Sequence, residues 1–176
     1  RFLNSDGTVN YAKMITYLTE YGERNRLILN DLTENHEHYN LVLSERVDHL
    51  KYLYSLLPPA LKRQAAVIDG KMTTKVLKAK REQAIEDMRT GNKRYLFATY
   101  SLAKEGLDIP RLDRLYLTTP QKDYAVIVQS VGRVARTFEG KQQPLVYDYV
   151  DSVKSLLKSY KKRCTIYRKS GCNIKE

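Results

Sequence analysis

An α/β fold, with a mostly parallel sheet and helices on both of its faces, is what this sequence predicts, and three observations predict it. Five short strand-like runs lie along the chain, and the first of them is continuously apolar rather than alternating, as a strand covered on both faces requires. Longer stretches with apolar residues at helical spacing alternate with these runs. Polar turn residues (Ser44 and Arg46, then Asp69, Gly70 and Lys71, then Thr99) stand where a run gives way to the next segment, the edge at which open parallel sheets bind ligands.

Taken in order, residues 9–21 place Tyr11, Met14, Ile15 and Leu18 at helical spacing, with Gly22 as the stop. Residues 24–38 read as a second helix whose Leu27, Ile28 and Leu32 form a narrow stripe, and both helices are expected to flank the core. Residues 40–43 are the first strand, Ser44-Glu45-Arg46 the turn, and residues 47–57 a helix with Val47, Leu50, Tyr54 and Leu57 on one face. Pro58-Pro59 ends that helix, because proline lacks the N–H that the ladder needs. Residues 65–68 repeat the pattern: Asp69-Gly70-Lys71 turns, Thr73 or Thr74 caps a helix running to Met88, and Gly91 closes it. Further strands are expected at 94–98, 114–118 and 144–149, with a helix around Gln129 between the last two. No repeat or low-complexity linker divides the chain. It reads as one domain over 1–176, with flanking helices at 1–38, a core at 39–150 and a basic C-terminal helix at 151–176.

At 176 residues and 42% apolar content the chain can bury one real core. No apolar run is long enough to span a bilayer and no leader-like segment opens the chain, so the expectation is a soluble, cytoplasmic protein with no membrane partner. The sequence begins at Arg1 rather than methionine, which suggests a piece of something longer. Cys164 and Cys172 have no companions at metal-ligand spacing, so they are expected as free thiols and no metal set is assigned. Lys and Arg number 31 against 20 Asp and Glu, and the net +11 favours a polyanionic partner. Over half of that excess lies in residues 151–176. Within it, residues 152–169 are helix-like, with Val153, Leu156, Leu157 and Tyr160 as a packing stripe and the lysines outside. That basic face is either solvated or laid along a nucleic-acid track, and Tyr160 and Tyr167 suit base stacking as well as core or rim positions.

The most distinctive stretch is residues 129–136, Gln-Ser-Val-Gly-Arg-Val-Ala-Arg. On a helix, Gln129, Arg133 and Arg136 stand at i, i+4 and i+7 and share a face, with Ile127, Val131, Val134, Ala135 and Phe138 opposite. The first face holds two permanent cations outward, which suits a phosphate, although polar residues at this spacing alone are usually a solvated helix surface.

Four blocks in order carry a resemblance. Residues 41–46 resemble the helicase block called motif IV, and Asp69-Gly70-Lys71 with Arg81 the segment after it; residues 98–110 resemble motif V, and residues 129–136 the Gln-x-x-Gly-Arg-x-x-Arg signature of motif VI. Over residues 39–149 the chain thus resembles the second RecA-like lobe of a superfamily 2 helicase or translocase. The resemblance implies a three-layer RecA-like α/β sandwich and ATP bound between two lobes. It implies that Arg133 and Arg136 meet the γ-phosphate and that Gln129 lies near the triphosphate and the attacking water. Gly106 would admit the nucleotide close to the backbone, and Asp108 would accept a hydrogen bond from the ribose. Thr99, Ser44, Arg46, Gly70 and Lys71 match the nucleic-acid track, contacts without sequence preference. Read without the resemblance, Gly106 stops a helix, Thr99 caps one and Asp108 is a turn residue.

No phosphate loop is present: Gly140-Lys141 runs into Gln142, and Val47-Asp48-His49 is no acidic metal-binding box. ATP and Mg2+ are therefore expected to be held mainly by an N-terminal RecA-like lobe of the same polypeptide, with this segment inactive alone. Gln129 stands where DEAD-box RNA helicases usually have histidine, and Lys104-Glu105-Gly106 where they usually have arginine before the glycine. Those spellings, with the closing Tyr147-Asp148-Tyr149-Val150-Asp151, look more like the XPB-like group, which favours DNA over RNA. The alternatives are a non-catalytic RecA-like module that binds nucleic acid or a partner, and the motor subunit of a restriction system.

Overall fold

The computed structural model describes residues 2–176. Five strands, β1 (Asn40–Ser44), β2 (Ala65–Ile68), β3 (Tyr95–Thr99), β4 (Arg114–Leu117) and β5 (Leu145–Asp148), form one sheet in the order β2-β3-β1-β4-β5. Every neighbouring pair is parallel. The eight helices of the described residues are α1 (Tyr11–Glu20), α2 (Gly22–Glu34), α3 (Val47–Leu56), α4 (Pro59–Lys62), α5 (Lys75–Thr90), α6 (Tyr100–Gly106), α7 (Tyr124–Ala135) and α8 (Lys154–Lys169).

Side-chain alternation along each strand sorts the sheet's two faces. Leu41, Leu43, Leu96, Ala98, Leu115 and Leu117 point to the layer that holds α5, α6, α7 and α8. Val42, Tyr95, Phe97 and Tyr116 point the other way, onto Ile28 and Leu32 of α2 and Leu50 and Leu53 of α3. The result is the three-layer α/β architecture that the continuous apolar run at β1 predicts, and all five residues of β1 are buried. Met14, Ile15 and Leu18 of α1 join Leu156 of α8 in a third, smaller cluster.

Several boundaries differ from expectation for local reasons. The first helix breaks at Tyr21, which takes an extended conformation, and Gly22 is the first residue of α2 rather than the stop of α1. The buried face of α2 holds Arg24, Asn25, Ile28 and Leu32, whereas Leu27 is 54% exposed. Pro58-Pro59 ends α3, and Pro59 then opens the single turn α4, where a missing N–H costs nothing. Thr74, not Thr73, caps α5 by accepting from the Leu77 amide. Asp123 caps α7, accepting from the amides of Ala125 and Val126. The α7 helix ends at Ala135, so Arg136 and Phe138 lie beyond it and Phe138 is exposed.

Buried polar groups tie the layers together. In α8 the guanidinium of Arg163 is bidentate on Asp148, Nε to Oδ2 at 2.7 Å and Nη2 to Oδ1 at 2.8 Å, and Tyr167 donates to Asp148 Oδ2 at 2.6 Å. Tyr167 is therefore core, and Arg163 is removed from the basic outer face. Leu157 is exposed rather than part of the packing stripe. Arg24 reaches from α2 to Asp151 at 2.9 Å and to the carbonyl of Thr118. Between α2, α3 and β1 runs a relay. Asn25 donates its amide nitrogen to the Thr19 carbonyl at 2.8 Å, so its Oδ1, 2.8 Å from His49 Nε2, must be the acceptor. His49 Nδ1 then accepts from the Ser44 hydroxyl at 3.1 Å. Burial, with the Arg24 charge as a lesser cause, pulls the His49 pKa from 6.5 to about 3.

Two outcomes follow from these links. Arg163→Met strands the Asp148 carboxylate in a site where only 11% of its side chain is exposed, so it should lower the unfolding free energy by about 3–5 kcal/mol in urea titrations. For His49 the unfolded chain takes up a proton below pH 6.5 while the folded imidazole stays neutral, so stability falls as pH falls toward about 3. Between pH 6.5 and pH 5 the parent should lose about 1.7 kcal/mol that a His49→Gln variant does not, measured by unfolding at each pH.

Candidate nucleotide and nucleic-acid site

Because the strands are parallel, all five end on one edge, and the polar residues that follow β1, β2 and β3 collect there. Ser44 and Thr99 are register partners at the ends of β1 and β3, and β2 lies beside β3, so Arg46, Thr99, Gly70 and Lys71 lie along one rim. Neighbouring strands are spaced about 4.8 Å apart, so the rim spans roughly 10 Å. Arg46, Gly70 and Lys71 are exposed. Ser44 is fully buried: besides serving His49, its oxygen accepts from the Arg46 amide at 3.1 Å. Thr99 occupies the N-cap position of α6 without capping it, and its hydroxyl lies 3.1 Å from that of Ser101.

The second cluster gathers where α6 ends and α7 ends. The seven residues of α6 separate Thr99 from Gly106 by about 10 Å along the helix axis. Gly106 ends α6 at φ +113, a conformation that side chains rarely adopt, and a Cβ there would lie 3.8 Å from Arg133 Nη2. Arg133 rises from the last turn of α7, its Nη2 3.4 Å from the Ala103 carbonyl and its Nε buried without a hydrogen-bond partner. Gln129 stands one turn earlier on the same helix and is exposed.

Arg136 does not share that helical face. At φ −63 and ψ 143 it has left the helix, and its guanidinium pairs with Asp108 Oδ1. The Arg136 hydrogen bond, and then its charge, hold the Asp108 carboxyl below the usual carboxylate range. The side chains are 46% and 69% exposed, so water and salt screen the pair and an anionic ligand can displace it. Arg89 of α5 adds a contact with no signature in the sequence, donating from Nε to the Asp108 carbonyl at 3.0 Å. With Gly106, Asp108 and Glu86 it lines an open groove of about 550 Å³.

The structure thus brings Gly106, Asp108, Gln129, Arg133 and Arg136 into one cluster and keeps Ser44, Arg46, Thr99, Gly70 and Lys71 in another. The first suits a polyphosphate: one guanidinium has a buried nitrogen without a partner and the other is held by an exchangeable contact. Among the described residues no group of three or more His, Cys, Asp or Glu side chains is placed to hold a metal ion. Among the same residues no helix is long and apolar enough to cross a membrane.

The model of the family described as helicase conserved C-terminal domain matches residues 23–138, about two thirds of the chain. A protein of Acanthamoeba polyphaga mimivirus, named as an ATP-dependent RNA helicase, is 31% identical over 100% of this chain and 33% of its own length. A protein of Sulfolobus islandicus filamentous virus, named as a helicase, is 28% identical over 80% of this chain and 25% of its own length. The chain therefore spans about a third or less of the length of these curated relatives. Among solved structures, the C-terminal domain of the DEAD-box protein Dbp5 superposes with a TM-score of 0.65 at 18% identity, covering 87% of this chain and 81% of that one. A DEAD-box protein of Methanococcus jannaschii gives 0.60 at 22% identity, covering 86% of this chain and 38% of that one. These likenesses establish the shared fold. With the match over residues 23–138, the chain belongs to the helicase conserved C-terminal domain family.

Proposed function

We propose that this chain is the C-terminal RecA-like lobe of an ATP-dependent nucleic-acid helicase or translocase, acting on ATP whose phosphates and Mg2+ are held by an N-terminal lobe of the same polypeptide. The observation that carries this reading is the pairing of Arg136 with Asp108 beside the partnerless Nε of Arg133. As the lobes close, Arg136 exchanges the Asp108 carboxylate for the γ-phosphate, and Asp108 is released to accept a hydrogen bond from the ribose. Arg133, anchored on the Ala103 carbonyl, neutralises charge on the same phosphoryl oxygens. Gln129, one helical turn away, orients the attacking water. Gly106 supplies the turn at the end of α6, since φ +113 is a conformation that side chains rarely adopt.

The rim of Arg46, Thr99, Gly70 and Lys71 carries the phosphate backbone of the nucleic acid, with Ser44 acting through the Arg46 amide that it fixes. DNA is favoured over RNA on Gln129 and Lys104-Glu105-Gly106. The exposed Lys154, Lys158, Lys161, Lys162, Arg168 and Lys169 fall on one side of α8, opposite buried Leu156, Arg163 and Tyr167. They extend the electrostatic footprint along about 24 Å of helix.

In the two-lobed polypeptide, Arg136→Ala should lower nucleic-acid-stimulated ATP turnover by about a thousandfold while nucleic-acid affinity stays within about twofold of the parent. Unchanged turnover would reduce the chain to a non-catalytic binding module. Replacing Lys154, Lys158 and Lys161 by Glu should weaken DNA binding and flatten the log-affinity against log-salt slope by about one for each phosphate no longer neutralised, read by titration at several salt concentrations. An unaltered slope would mark that face as merely solvated.

A further inference from the structure

Gly140-Lys141 fails as a phosphate loop, and the site described above does not use it. The structure gives the lysine another task. Its ammonium donates to the Arg136 carbonyl at 2.6 Å and to the Pro110 carbonyl at 3.1 Å. Those two carbonyls belong to different loops: one follows α7 and carries Arg136, and the other follows α6 and carries Asp108. Resting on the helicase reading, we propose that Lys141 is a positioning residue that clamps these loops together and so aims Arg136 at the γ-phosphate.

The surrounding geometry makes the clamp effective. Arg136 lies outside the helical ladder, so α7 does not by itself set where its side chain starts. The 108–110 loop, by contrast, is well held. Ile109 is 1% exposed, Arg89 Nε holds the Asp108 carbonyl at 3.0 Å, and Arg111 Nε holds the Arg89 carbonyl at 2.9 Å. Lys141 therefore ties a segment outside the helical ladder to an anchored loop. Its approach is built by a tight turn in which the Lys141 amide donates to the Phe138 carbonyl at 3.1 Å, with Gly140 at φ +73. The ammonium is partly enclosed. Burial lowers its pKa, the Asp113 carboxylate opposes that shift and the nearby Arg136 adds to it. An ammonium so enclosed serves as a fixed double donor better than as a mobile surface charge.

The test uses Lys141→Met and Lys141→Arg in the two-lobed polypeptide, each alone and with Arg136→Ala. Lys141→Met should lower kcat of nucleic-acid-stimulated ATP hydrolysis by about 10-fold or more with KM for ATP within about twofold, because the help of a misaimed guanidinium disappears chiefly in the transition state. Lys141→Arg, which keeps a cationic multiple donor, should recover most of that activity. Since Lys141 acts through Arg136, adding Lys141→Met to Arg136→Ala should change kcat by no more than about twofold. Parental kcat in Lys141→Met, equal impairment in Lys141→Arg, or a further drop on the Arg136→Ala background would each overturn the role. The last two are also what a merely misfolded variant would give. If Arg136→Ala itself retains turnover, the helicase reading fails; if it is inactive while Lys141→Met is unimpaired, only the positioning role fails.

Discussion

A parallel sheet requires every strand to finish on the same edge and both of its faces to be covered, and the rest of this molecule depends on that constraint. The first requirement brings the ends of β1, β2 and β3 side by side, so residues far apart in the chain, such as Ser44 and Thr99, become register partners. The second divides the helices into a layer of α2 and α3 and a layer of α5, α6, α7 and α8. The candidate nucleotide cluster sits on the second layer, where α6 and α7 end. The nucleic-acid rim at the strand ends is thus a consequence of connectivity before any particular side chain is considered, and the nucleotide cluster lies about 10 Å from it along α6.

Covering the sheet also brings charge inside, and each buried charge carries its own partners. Asp148 at the end of β5 accepts from Arg163 and Tyr167, which fastens α8 over the open side of the sheet. Arg24 links α2 to the ends of β4 and β5 through the Thr118 carbonyl and Asp151. Such pairs gain little over well-packed apolar residues but are costly to break singly, so they fix where the helices sit more than they raise stability. They divide the basic tail in two: Arg163 is structural, whereas the lysines on the opposite side of α8 stay in water.

The site itself follows a different electrostatic rule. Arg136 and Asp108 form an exposed pair, screened and weak, as the proposed exchange for a ligand requires. The backbone beneath it is held by a partly enclosed donor, Lys141 on the Arg136 and Pro110 carbonyls, and by an exposed one, Arg89 on the Asp108 carbonyl. On the proposed reading, the side-chain ends stay exchangeable while their origins are constrained, so an exchange for phosphate would require little rearrangement of the loops that carry them.

The sequence by itself determined the α/β class, all five strand positions to within a residue or so and the main helices, because apolar runs and helical periodicity are local signals. It also determined the motif order, since 98–110 and 129–136 are contiguous blocks, and from these the grouping of Gly106, Asp108, Gln129 and Arg133 could be expected. What only the tertiary structure decided are contacts between segments distant in the chain. Periodicity extended α7 through Arg136, but the helix stops at Ala135 and Arg136 turns to Asp108. Spacing could not show that Leu27 is exposed while Arg24 and Asn25 are buried, because their partners at Asp151, Thr118 and His49 come from other elements. Lys141 and Arg89 carry no motif at all. Each acts on a backbone carbonyl, and every residue type has one, so the sequence leaves no trace of which carbonyl is held until the fold brings donor and acceptor together.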